Sequence, residues 1–70
     1  MADVRTFEYK GKTVRVKVNK DGPNYLGEFE IEGMKLSPAQ RFGAEEPSEE
    51  GAFRSAERKA RELIDRAPTP

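Results

Sequence analysis

The chain opens on strict alternation. From Val4 to Tyr9 the residues alternate so as to place Phe7 and Tyr9 on one face of a strand. Lys10-Gly11 follows as a two-residue hairpin turn, since glycine takes positive φ without steric cost. Thr13–Asn19 is the clearest strand: Val14, Val16 and Val18 face one way, while Thr13, Arg15, Lys17 and Asn19 face the other. The cluster Lys20-Asp21-Gly22-Pro23-Asn24 reads as a turn. A third strand, Tyr25 to Glu32, carries Tyr25, Gly27, Phe29 and Ile31 inward and Glu28, Glu30 and Glu32 outward. Pairing the second and third strands antiparallel sets Arg15 and Lys17 against Glu28 and Glu30. Such a solvated face with complementary charges helps to fix the register.

Residues 33–47 lack a period. Gly33, Pro38, Gly43 and Pro47 punctuate them, and Met34, Leu36 and Phe42 are their apolar anchors. The stretch reads as a short edge strand around Gln40–Gly43 or as a long loop, and loops of that length inside small domains are often functional. A helix comes next. Ser48 is its N-cap, preceded by Pro47 and followed by Glu49 and Glu50, where the helix dipole favours anions. Gly51 stands where a capping-box glutamate would, so that reciprocal bond is absent. Ala52, Phe53, Ala56, Ala60, Leu63, Ile64 and Ala67 form one apolar stripe. The other side offers i,i+4 pairs: Glu50–Arg54, Glu57–Arg61, Arg58–Glu62, Arg61–Asp65 and Glu62–Arg66. Pro68 ends the helix, and residues 68–70 read as a disordered tail.

The expected fold is therefore α+β: a three-stranded antiparallel meander, four-stranded if residues 40–43 pair, with one C-terminal helix packed on one face. A single domain over residues 1–67 accounts for the whole pattern.

Composition narrows the functions. The 70 residues are 34 % hydrophobic and 37 % charged, with 13 basic and 13 acidic side chains and no net charge. A core this lean gains from a partner or a second copy. No apolar run approaches a membrane span, and Met1–Arg5 has no apolar leader segment, so the expected location is cytoplasmic. With neither Cys nor His, thiolate nucleophiles, imidazole bases and most transition-metal sites are excluded. Ser37, Ser48 and Ser55 lie in no nucleophile motif, and the scattered glycines form no phosphate cradle. The expectation is a protein that is not an enzyme, with no cofactor, no metal and no small-molecule substrate. Glu45, Glu46, Glu49 and Glu50 cluster at the helix start, but that position complements the dipole and lacks the spacing of a calcium loop.

Charge is uneven along the chain. The balance is +3 over residues 1–27, −5 over 28–50 and +2 over 51–70. The basic residues of the last segment support an alternative reading, an RNA-binding accessory protein that contacts phosphates through Arg54, Arg58, Lys59 and Arg61. The acidic start of that helix has the wrong sign for it.

Thr13–Asn19, the turn Asp21-Gly22, the strand with Tyr25, Phe29 and Ile31 closing on Gly33, and the helix opening Ser48-Glu49-Glu50 before Ala52 give a pattern spanning residues 13–66. This pattern resembles the small β-β-β-α module of HicB-type antitoxins and related bacterial proteins. Here an extra strand precedes Thr13, and the link from Gly33 to the helix is longer. The resemblance implies a bacterial interaction domain that dimerises or masks a partner protein, and it carries over no catalytic role. The expected function is thus a non-enzymatic protein-interaction module, antitoxin-like in masking its partner. That partner is another protein or the chain itself as a homodimer. Met34, Leu36 and Phe42 are its candidate contact residues, with the outward Leu26 beside them.

Overall fold

A computed structural model describes residues 3–66. Strands β1 (Asp3–Tyr9), β2 (Lys12–Asp21) and β3 (Asn24–Ile31) form one antiparallel sheet in the order β1-β2-β3. A 3-10 turn at Pro38–Gln40 and helix α1 (Glu49–Arg66) follow. This is the β-β-β-α arrangement that the alternation and the apolar stripe imply. Ala67 and the tail at 68–70 lie outside the described residues.

Both hairpins are tight. Lys10 and Gly11 take φ of 50° and 80°, the left-handed pair that matches the twist of the strands they join. The second turn is shorter than its polar sequence suggests, because Lys20 pairs with Tyr25 and Asp21 with Asn24. Only Gly22-Pro23 remains between the strands. Residues that read as loop are drawn into the ladder by a turn that closes in two residues.

The register aligns Val14, Val16 and Val18 with Ile31, Phe29 and Gly27. Under them lie Ala52, Phe53, Ala56, Ala60 and Ile64 of α1, and these buried residues form one apolar core. Among the described residues no polar or charged side chain is buried. The helix packs over β2 and β3 and leaves β1 outside its main footprint.

Segment 41–46 runs back along the free side of β3. The N–H of Phe29 donates to the Arg41 carbonyl at 2.8 Å, that of Gly43 to Gly27 at 3.0 Å, and Tyr25 and Glu46 exchange bonds of 2.8 and 2.9 Å. The edge strand considered at Gln40–Gly43 thus takes the form of two isolated bridges, Glu28–Phe42 and Tyr25–Glu46. One more residue lies between the bridges on the 42–46 side than on β3, which makes a bulge. The N–H of Ala44 turns instead to the Ser55 hydroxyl at 2.8 Å.

Ser48 caps α1 as its position implies, its hydroxyl accepting the Gly51 N–H at 3.0 Å. The expected ladder of ion pairs along the helix is largely absent. Of those expected pairs only Glu57–Arg61 closes within the described helix, at 3.3 Å. Glu50 and Asp65 reach across to β1 instead. The guanidinium of Arg5 meets the Glu50 carboxylate in a two-point fork at 3.0 and 3.2 Å, while Asp65 takes Lys10 and the Tyr9 hydroxyl. A planar fork resting on the Phe53 ring, 4.0 Å from the guanidinium carbon, is a better site for Glu50 than a flexible helix neighbour.

Candidate functional site

The side chains proposed for partner contact separate into different places. Met34 and Leu36 are half-buried and pack against the core, where they pin the loop after β3. Leu26 is half-buried on the sheet face away from the helix, opposite Asn19. Phe42 is half-buried at the β3 edge and borders a shallow hollow that includes Lys59. The four do not form one apolar patch.

The basic set is divided as well. Arg54, Arg58 and Arg61 are exposed on one stripe of α1, interleaved with Glu50, Glu62 and Asp65, and Lys59 lies beside that stripe, bordering the loop-side hollow together with Arg58 and Glu62. Arg61 is held by Glu57 and lies 5.4 Å from the centre of the Phe7 ring. This stripe carries both signs in near balance, unlike a phosphate-binding track. The acidic cluster is also dispersed: Glu50 serves Arg5, and the backbone of Glu46 serves Tyr25. Among the described residues no group of acidic side chains could hold a metal ion.

An open cleft of about 630 Å³ lies between β2–β3 and the segment after Gly33, with Arg15, Glu30 and Glu32 facing Met34, Lys35 and Arg41. Its lining mixes both charges with apolar stems and presents no paired acid and base. The groups with displaced pKa values lie elsewhere, in the exposed pairs between β1 and α1. The bond from Lys10 holds the Asp65 carboxyl below its ordinary range, the bond from Arg5 does the same for Glu50, and Asp65 raises Lys10. A lowered carboxyl stabilises the fold above its unfolded value and loses that contribution as pH falls. A raised ammonium stabilises below its unfolded value and loses it as pH climbs. The urea midpoint should therefore decline on acidification past the ordinary carboxyl values of 4.5 and 3.8 and on alkalinisation past 10.5. Asp65→Asn should flatten part of the acid decline and remove Lys10's share of the alkaline one. The shifts should be small, because exposed pairs are screened.

The sheet edges differ more than any pair of side-chain clusters. Hydrogen-bonding parity can be followed across the whole sheet. The Lys10-Gly11 turn makes Tyr9 and Lys12 a hydrogen-bonded pair, and the pattern alternates from there. Consistently, the Thr13 carbonyl points to β3, accepting the Glu32 N–H at 2.9 Å. Asp3, Arg5, Phe7 and Tyr9 thus bond to β2, and Val4, Thr6 and Glu8 direct their N–H and C=O groups away from it. The same parity aims Tyr25, Gly27 and Phe29 at the far edge of β3, where segment 41–46 meets them. One edge is sealed by the chain itself. Among the described residues no segment pairs with the other.

Sequence reasoning passed over this edge. Its signal is a seven-residue alternation without proline or lysine, two of the devices that blunt an exposed strand, and its one cation, Arg5, is paired with Glu50. No family model matches this chain, and no curated protein or solved structure compared with it matches either.

Proposed function

We propose that this chain is a non-enzymatic protein-interaction module that binds by accepting a strand along the open edge of β1. The observation that carries the reading is the asymmetry of the sheet. Segment 41–46 occupies the edge groups of β3, whereas Val4, Thr6 and Glu8 present a straight, unbulged row of donors and acceptors. Backbone groups of this kind bind an incoming strand by main-chain hydrogen bonds, with the side chains on either face supplying selectivity. The mixed charges of the outer face, Lys17 beside Glu28 and Arg15 beside Glu30, suit a water-facing surface next to such a seam.

Thr6→Pro tests it. Because the Thr6 N–H points outward, proline removes no bond to β2 and is compatible with an edge strand, yet it blocks pairing at the middle of the row. Affinity capture from cells producing the tagged chain should recover a protein, either another chain or an untagged copy, that survives nuclease and is lost with Thr6→Pro. Circular dichroism checks that the variant keeps its fold. Capture unchanged by Thr6→Pro would overturn the reading, and capture only of RNA, lost with nuclease, would transfer the function to the arginines of α1.

A further inference from the structure

We infer that the strand accepted at this edge is β1 of a second copy of the chain, the two running antiparallel about a two-fold axis through Thr6. The partner named here presupposes edge pairing as the mode of binding.

The register follows from parity and length. Within the described strand Asp3–Tyr9, Val4, Thr6 and Glu8 have the outward backbone groups, so an antiparallel mate must set these residues against one another. Centring on Thr6 uses all seven residues Asp3–Tyr9. It opposes Thr6 to Thr6 of the second copy, Val4 to Glu8, Arg5 to Phe7 and Asp3 to Tyr9. No like charges meet in this arrangement. Sliding one copy by two residues toward the strand start places Arg5 on Arg5, which is unfavourable. Sliding it the other way leaves only residues 5–9 paired. The strand is therefore complementary to itself in one full-length register.

Both faces of the seam gain cover. On the outer face Val4 is the only large hydrophobic residue among the described ones that is exposed, at 53 %, and pairing lays the aliphatic stem of Glu8 beside it. On the helix face Phe7 and Tyr9 are only half-buried, because α1 lies over β2 and β3. Two copies bring these partly covered rows together between two helices on the same side of a six-stranded sheet. Arg5, the cation on this face of the strand, is already neutralised by Glu50, so it does not act as an uncompensated charge at the seam. A seam of seven residues per copy lies at the low end of interface sizes, below roughly 1,200 Å² in total, which implies a weak dimer.

The test uses the full chain at increasing concentration. Light scattering during size exclusion should show the mass rising from the 7.9 kDa of one chain to twice that value across the micromolar range. Thr6 is exposed, so Thr6→Lys and Thr6→Glu should fold and remain monomers when alone, because each meets its own charge at the axis. Mixed in equal amounts, they should recover the doubled mass. The chain has no cysteine, so Thr6→Cys offers a second reading: it should cross-link to itself on oxidation, whereas Val4→Cys should not. Opposed residues of a hydrogen-bonded pair lie about 5.5 Å apart, within reach of a disulfide. A monomer at every concentration overturns the inference, and so does a dimer that both charged variants leave unchanged. If the chain is monomeric but Thr6→Pro still abolishes capture of a different protein, the second copy is excluded and edge pairing stands.

Discussion

Gly43→Ala should lower the unfolding free energy by about 3 kcal/mol, seen as a fall in the urea midpoint at unchanged slope. A Cβ at this position would lie 2.7 Å from the Ala56 nitrogen and 2.9 Å from both the Ala56 Cα and the Ser55 carbonyl carbon. All three are helix backbone, and none can rotate aside. The φ of Gly43 is outside the left-handed region, so the cost is contact with the helix and not backbone strain. Gly27 is its companion, with a Cβ there 2.8 Å from the Ala52 carbonyl oxygen and 2.8 Å from the Ala56 Cβ. The bond from the Gly43 N–H to Gly27 locks the two into one floor under Ala52 and Ala56. A second substitution separates the two contacts. Ala56→Gly should relieve part of the Gly27→Ala penalty, since it removes the side-chain half of that clash, and should give Gly43→Ala no relief. A chain of 70 residues holds about 4–10 kcal/mol of stability at roughly 0.05–0.15 kcal/mol per residue. The Gly43 variant therefore loses a large share of it. An unchanged midpoint would mean that the helix can withdraw from the sheet at little cost.

That floor marks the boundary of what the sequence reveals. The alternation of Val14, Val16 and Val18 and the spacing of Ala52, Phe53, Ala56, Ala60 and Ile64 are local patterns. Burial enforces them, so strands and helix could be placed from residues a few positions apart. The role of Gly43 depends on Ala56, thirteen residues away and in another element, and a glycine between Phe42 and Ala44 looks like simple loop punctuation. The ion pairs are hidden for the same reason. Glu50 and Arg54 satisfy the helix spacing rule, yet the fork from Arg5, 45 positions earlier, takes the carboxylate. The open edge of β1 is hidden differently. Parity of backbone hydrogen bonds is set by the turn between Tyr9 and Lys12, and the identities of the outward residues, Val4, Thr6 and Glu8, show nothing unusual. Met34, Leu36 and Phe42 stand out in the sequence because they are apolar in a loop, and in the fold Met34 and Leu36 hold that loop to the core.

Phe53→Ala should cost about 4 kcal/mol and leave the chain close to its unfolding threshold. Phe53 is fully buried between the sheet and α1, and truncation removes most of its contacts while the strands on one side and the helix on the other hold the space open. Its ring has a second task. The Arg5 guanidinium lies over it at 4.0 Å and from there reaches Glu50, so this one aromatic helps to tie edge strand β1 to a helix that otherwise packs on β2 and β3. The two tasks can be separated by a double-mutant cycle that pairs Phe53→Leu, which keeps most of the apolar volume, with Arg5→Met, which keeps the aliphatic stem. Arg5→Met should cost about 0.5–1 kcal/mol less in the Phe53→Leu background than in the native chain, the scale of an exposed cation–ring contact. The same substitution should raise amide exchange along β1 more than along β3, because β1 loses a tether and β3 does not. Additive costs, with β1 exchange unchanged, would show that Phe53 acts only through its volume and that the Arg5 contact adds nothing to how β1 is held, leaving the ladder to β2 and the Asp65 contacts of Tyr9 and Lys10 to hold it.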